Sequence, residues 1–472
     1  MRVADLPRLS LAALLTVACG SNSAPDASSD PGPASSSSKG SALPSSTTTP
    51  SSPLEALSPA VLPPPPADVS NRFADDTRAA TLGQALFFDT SFSGALLDLD
   101  NDGKAGTLGK AGDTGRVACA GCHLPSTGFL DSRSPGKQIS LAAGWGTRKA
   151  PSLLDLGQDR LVMWDGRHDT LYNQVFGPIE SPLEMNSSRL FVAEQLARNY
   201  RIPYEAVFGA MPAFDDPETF PALSAKQSGC QPKYPGSPKS TCDGTFHGMP
   251  GDGAEYDGLS AANQQAVTLA VVNMGKAMGA YERKLTCGPS RFDRWMHGED
   301  DALDASEQRG AALFVGKAAC VSCHSGPYLS DQRFHNVGLE PKPVGVVFAD
   351  LSDTGASSGV GAAIADPLDI RGIYSDGDDG RLPTAVSPQM QGAFKTPMLR
   401  CASMRPSFMH TAQVRTLAQT VAFFNRGGDG PGIYGKNELR PLNLSPQEQQ
   451  DLVDFLGALT GPGPDGSLQM AP

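Results

Sequence analysis

Cys119-Ala-Gly-Cys122-His123 and Cys320-Val-Ser-Cys323-His324 are two copies of one pattern, C-x-x-C-H. The spacing has a chemical reason. Two thiols three positions apart reach the two vinyl groups of one porphyrin, and the next residue brings an imidazole under its iron. A structural zinc site or a redox cysteine pair also uses C-x-x-C. Neither calls for a histidine in the adjacent position, and both copies carry one. The chain therefore reads as holding two covalently bound haems c through Cys119, Cys122, Cys320 and Cys323. His123 and His324 are then the axial ligands of the two irons.

The 472 residues suffice for two ordinary domains and a tail. Gly and Pro are abundant, at 51 and 40, which predicts long irregular loops around the haems. The formal charge is -12 with no basic run, which argues against nucleic acid and suits a basic electron-donor protein. Arg2 and Arg8 precede a short apolar stretch, Leu9 to Ala18, as in an export signal. Leu15-Thr-Val-Ala-Cys19-Gly20 resembles a lipoprotein cleavage site, so Cys19 is the expected lipidated residue of a periplasmic, membrane-tethered protein. The leucine stands one place further from the cysteine than usual, and plain cleavage near Ala18 is the alternative. Residues 264–285 are the most apolar later stretch, but Asn273, Lys276 and Glu282 break it as a membrane span. Nine cysteines less four for haem and Cys19 leave Cys230, Cys242, Cys287 and Cys401. In an exported chain an even remainder predicts two disulfides. Cys230 with Cys242 is the local pair, and Cys287 with Cys401 follows by elimination.

The chain repeats itself. Ala150-Pro-Ser-Leu aligns with Thr396-Pro-Met-Leu, Trp164 with His410, and Thr170-Leu171 with Thr416-Leu417, at a constant offset of 246. With one C-x-x-C-H ahead of each copy, this predicts a mainly α fold of two cytochrome-c-like domains related by internal duplication. The expected layout is a signal peptide (1–19), a disordered Ser/Pro-rich tether (20–70), an N-terminal haem domain (71–270), a C-terminal haem domain (271–462) and a tail (463–472). Helices are expected from Ala80 to Phe88, from Ala261 to Lys284, and from Leu444 to Leu459 behind a Ser445/Glu448 capping box. Residues 340–380 read as a long Gly/Asp-rich loop.

Several stretches together resemble the bacterial dihaem cytochrome c peroxidases, a family that includes MauG-like enzymes. They are Leu82-Gly-Gln-Ala-Leu-Phe-Phe-Asp89, Trp164-Asp-Gly-Arg167, Gly177-Pro-Ile-Glu-Ser-Pro-Leu-Glu-Met185, Phe292-Asp-Arg294, Phe334-His-Asn-Val-Gly338, Asp379-Gly-Arg381 and Phe394-Lys-Thr-Pro397. The resemblance covers about residues 72–460. It implies that peroxide meets the N-terminal haem and that electrons arrive through the C-terminal one. It also implies that Glu184 is the distal acid-base group, that Gln174 orients peroxide or water, and that Trp164 lies between the haems. O–O heterolysis needs a proton taken from one oxygen and given to the other, which a carboxylate over the iron can do.

Three departures qualify it. Where many relatives carry a histidine that caps the resting peroxidatic iron, this chain reads Ala143-Gly144-Trp145, so that haem is expected to stand open without prior reduction. Where the family has a Met or Tyr ligand on the C-terminal haem, this chain has Phe424, so that haem is expected either to be five-coordinate too or to take His335, Met404 or Met409. Loss of a thioether ligand lowers a haem's potential. Where the family holds a calcium ion with an Asn in "Arg-Asn-x-Pro", this chain has Lys149, whose ammonium is the candidate replacement. A separate Asp98-Leu-Asp100-Asn-Asp102-Gly103 opens like a calcium loop, but Gly109 stands at its twelfth position, so the ligand set is incomplete. The resulting reading is an oxidoreductase reducing hydrogen peroxide with electrons from a small c-type cytochrome or cupredoxin. The alternatives are MauG-like oxidation of a partner protein's Trp or Tyr, or a dihaem electron carrier with no catalytic role.

Overall fold

A computed structural model describes residues 53–133, 139–232, 242–342 and 352–472; the expected signal peptide and residues 20–52 lie outside the described residues. The chain is helix-rich with little sheet. Helix α1 (Pro53–Leu57) is followed by α2 (Thr77–Phe88), capped by Asp76, which accepts from the amides of Arg78 and Ala79. The single turn α3 (Cys119–Cys122) carries the first cysteine pair. Next come α4 (Leu171–Gln174), α5 (Phe176–Glu180), α6 (Arg189–Asn199) and α7 (Arg201–Phe208). Strands β1 (Gly229–Pro232) and β2 (Cys242–His247) pair antiparallel and are joined by the Cys230–Cys242 disulfide.

The long helix α8 (Ala261–Glu282) is the centre of the first core, against α2, α4 and α6. Small residues allow its close approach. A Cβ on Gly83 of α2 would lie 2.0 Å from the Ala277 carbonyl oxygen, and one on Gly275 would lie 2.4 Å from that of Tyr172. Glycine's entropy cost inside these helices is the condition for backbone-to-backbone contact. Val267, Ala270, Val271, Val272, Met274, Ala277, Met278 and Tyr281 of α8 pack into the same core, on both sides of the expected domain boundary at 270.

The second core is built by α9 (Arg291–Met296), α10 (Ala305–Val315), α12 (Leu417–Asn425) and α13 (Pro446–Ala458), around Phe292, Phe314 and Phe455. Between them lie the short antiparallel pair β3 (Phe334–His335) and β4 (Phe394–Lys395), and α11 (Ala356–Ala365). The Cys287–Cys401 disulfide closes a separation of 114 residues. Ser445 accepts from the Glu448 amide at 3.3 Å and Glu448 accepts from the Ser445 amide at 2.7 Å, completing the expected capping box of α13. Ser445→Ala should cost about 1 kcal/mol in urea denaturation; no change in midpoint would mean that packing alone holds this end. Among the described residues no helix is long and apolar enough to cross a membrane.

Three expectations differ from what is seen. Residues 53–70, expected within the disordered tether, are ordered. Leu57 is fully buried in the second core, Ser58 Oγ donates to Asp293, and the Pro63 and Pro66 carbonyls accept from Tyr328 and Arg283. A Pro-rich strap lacks core side chains but offers unpaired carbonyls, and here other residues bond them. The stretch 340–380 contains α11, whose small residues let Val360 and Ala363 bury against Leu161 and Ile370. The 463–472 tail docks on the first core, with Gln84 Nε2 donating to the Ser467 and Met470 carbonyls and the Tyr281 hydroxyl to that of Leu468.

Candidate active site

Each C-x-x-C-H is a tight turn that puts both sulfurs on one side. The His123 amide donates to the Cys119 carbonyl and the His324 amide to the Cys320 carbonyl, both at 2.9 Å. Each imidazole then places Nδ1 on a backbone carbonyl, His123 on Phe129 at 3.1 Å and His324 on Leu329 at 2.8 Å. A donated Nδ1–H fixes the tautomer and leaves Nε2 with a free lone pair, the arrangement an axial ligand needs. Arg133 braces the first turn by donating to the carbonyls of Gly121, Gly106 and Leu141 and to Asp131.

The sulfurs' surroundings do not favour thiolate. Burial pushes the Cys122 and Cys320 thiols up to about 12, and burial with the Glu282 charge pushes Cys119 up as well. Among the described residues, no group of three His, Cys, Asp or Glu is placed to hold a metal ion.

Glu184 lies beside the first pair, since its charge is felt at both Cys119 and Cys122. Burial raises its carboxyl above the ordinary range, opposed by the Arg167 guanidinium. Its backbone carbonyl accepts from the amide of Ala143 at 2.9 Å, and Ala143 is fully buried. Ala143 and Glu184 are thus fixed to each other through the main chain. Gln174 ends α4 with Nε2 3.8 Å from Met163 Sδ.

Trp164 Nε1 donates to the Lys149 carbonyl at 2.7 Å, and its ring lies 6.5 Å from that of His410. His410 stacks on Phe394 at 3.5 Å; burial holds it neutral, down to about 3. Lys149 is buried, and its ammonium donates to the Ser407 carbonyl and to Ser407 Oγ. Burial, then the Arg405 charge, lowers it to about 7.

On the second site, Phe424 is half-buried and edge-on to Phe423. Asn425 spends its side chain on both backbone groups of Leu444. His335 engages Glu438 through Nδ1 at 2.7 Å and Asp331 through Nε2 at 2.9 Å. Both ring nitrogens are thus engaged by carboxylates. Met404 packs against Gly128 in the loop after His123. Met409 has left-handed backbone, φ 66°, next to His410.

The three aspartates of the expected calcium loop already have partners nearby. Asp102 takes Lys104, Asp100 accepts from Trp145 Nε1 at 2.8 Å, and Asp98 accepts from the Asp100 amide. Sequence reading did not single out Arg167, Glu282 or Arg405. Glu282 is buried near Cys119 and pushed up to about 8 by desolvation. Its signal was visible as a charge interrupting an apolar helix; Arg405 had no such signal.

Residues 77–228 match the family described as di-haem cytochrome c peroxidase. The chain is 29% identical over 383 residues to the methylamine utilization protein MauG of Methylorubrum extorquens, covering 80% of this chain and 77% of that one. It is 28% identical over 419 residues to the cytochrome-c peroxidase IdrP1 of Denitromonas iodatirespirans, covering 84% and 85%. Among solved structures, the diheme peroxidase BthA from Burkholderia thailandensis shares the fold, with a TM-score of 0.54, 21% identity, and coverage of 82% and 87%.

Proposed function

We propose that this chain, a relative of the di-haem cytochrome c peroxidases, reduces hydrogen peroxide at the site of His123 with electrons relayed from the site of His324. The carrying observation is Glu184, a carboxyl lifted by burial beside Cys119 and Cys122 and bonded through the main chain to Ala143. Haem c, attached through the two cysteine pairs, supplies the iron at which peroxide is bound and reduced. Glu184 takes the proton from the nearer peroxide oxygen and returns it to the farther one, which leaves as water. Gln174 orients the incoming molecule. The Arg167 guanidinium opposes the rise and so favours the ionised form that acts first as base. Ala143 offers no imidazole, so no reductive activation is required. Phe424 leaves the second site without a Met or Tyr ligand from that position, which favours holding an oxidising equivalent there.

A second reading, oxidation of a partner protein's Trp or Tyr, is favoured by the aromatic series Trp164, His410 and Phe394. It ends at a surface pocket also lined by Ile433 and Tyr434. Export, lipid tethering at Cys19 and periplasmic location belong to the proposal. So does a duplicated ancestry, supported by backbone features that recur at the sequence offset. Left-handed Asp155 and Met163 match Cys401 and Met409, and the Val162–His168 bridge matches Phe408–Val414. The Lys149 ammonium takes the place of a calcium ion.

Titrating the resting ferric protein with peroxide tests the reading. One equivalent, without pre-reduction, should abolish a high-spin ferric signal in electron paramagnetic resonance. Two low-spin haems that ignore peroxide would favour an electron carrier instead.

A further inference from the structure

We propose that Arg405 and Lys149 form a shared pair of counter-charges for the propionate carboxylates of the two haems. The inference rests on the two-haem reading above. Lys149 stands two residues before Pro151, whose carbonyl is felt at the His123 ring. Its side chain crosses to Ser407, two residues after Arg405. The Arg405 charge is felt at the His324 ring, and its neighbour Met404 lies against Gly128 in the His123 loop. The two cations thus occupy the ground between the two ligand histidines.

Neither is paired. Among the described residues no carboxylate forms an ion pair with either; Asp155, the carboxylate Arg405 feels most, accepts from the Cys287 amide, Asp131 is engaged by Arg133, and Asp159 by Lys395. Arg405 places one donor on the Met398 carbonyl at 2.7 Å, and its buried Nε has no partner among the described residues. Lys149 uses its bonds to Ser407 and is 2% exposed. A buried ammonium and a half-buried guanidinium whose Nε is shut off from water are costly to hold unless an anion joins them. A guanidinium offers a planar fork to a carboxylate, and an ammonium offers a point charge. Haem propionates are the carboxylates that a two-haem chain brings to this ground. Burial lowers Arg405 to about 10 and Lys149 to about 7, as fits cations lacking their anion.

The test uses the full haem-loaded chain and three variants: Arg405→Gln, Lys149→Gln and Arg405→Lys. Readouts are haem per chain, reduction potentials across pH, and the propionate bending bands in resonance Raman. Removing a cation favours ferric over ferrous iron. The Gln variants should therefore keep two haems, lower the potential of at least one, steepen its pH dependence and shift its propionate bands. Arg405→Lys should restore the potential in part. Which haem moves tells whose carboxylate each cation serves. Unchanged potentials and bands in both Gln variants, with two haems present, would overturn the proposal. A parent chain holding fewer than two haems would overturn the two-haem reading instead. If Arg405→Gln does not fold, Lys149→Gln and Arg405→Lys decide on the same readouts.

Discussion

Glu184→Gln slows the reaction with hydrogen peroxide by about 10²–10⁴-fold, with both haems still attached. The size follows from the role. Glutamine keeps the shape and a hydrogen bond but cannot take a proton, so the loss is that of a positioned acid-base group, roughly 3–5 kcal/mol in the barrier. Stability should move the other way or not at all. A carboxyl raised by burial is a desolvated charge when ionised, and the amide removes that cost. Thermal unfolding of parent and variant therefore separates a chemical loss from a structural one. The pH profile gives a third readout. The base form of Glu184 is needed first, and its titration lies above the ordinary carboxylate range. In the parent the rate should rise with pH through that raised value, and in Glu184→Gln the step should be absent. A variant reacting within about threefold of the parent would remove Glu184 from the chemistry.

The sites were legible because covalent chemistry demands fixed spacing. C-x-x-C-H declares itself without a fold, and the Nδ1–H bonds of His123 and His324 to backbone carbonyls suit the role that spacing predicted. Helices α2, α8 and α13 were legible from apolar periodicity and, in α13, from its capping box. The ordered strap at 53–70 was not. It is held by carbonyls of Pro63 and Pro66, and a carbonyl is the same in every residue. Helix α11 was hidden because its glycines and serines have loop composition and only tertiary contacts bury Val360 and Ala363. Arg405 was hidden for a related reason. Nothing local distinguishes a buried arginine from an exposed one, and its meaning comes from groups distant in sequence. The carboxylates on His335 were hidden in the same way, since Glu438 on its Nδ1 lies 103 residues away.

Arg400→Met should cost about 3–5 kcal/mol of stability, the usual result of leaving one buried charge without its partner. Arg400 is fully buried. It forks onto Asp293, Nη1 to Oδ2 at 2.7 Å and Nη2 to Oδ1 at 2.9 Å, and donates further to the Pro327 and Leu57 carbonyls. One side chain therefore joins α9, the strap and the loop after His324. Asp293 also accepts from Ser58 and Ser290. Although burial alone would raise it, the Arg400 bond and charge hold it at about 2, against an ordinary 3.8. A depressed carboxylate contributes stability that is fully present above its unfolded value and is lost as pH falls through the folded one. The pair should therefore weaken between about pH 4 and 2, by roughly 2–3 kcal/mol. Urea denaturation of the haem-loaded protein at neutral and acid pH measures both effects. In Arg400→Met the acid dependence in that window should flatten, and Arg400→Met with Asp293→Leu should recover most of the neutral-pH loss. Recovery in the double variant would show that Phe292-Asp-Arg294, one of the stretches that carried the family resemblance, serves the fold through Asp293 and does no chemistry. A loss below about 1 kcal/mol in the single variant would mean that Ser58 and Ser290 suffice to hold the carboxylate, and that Arg400 acts only on the loop after His324.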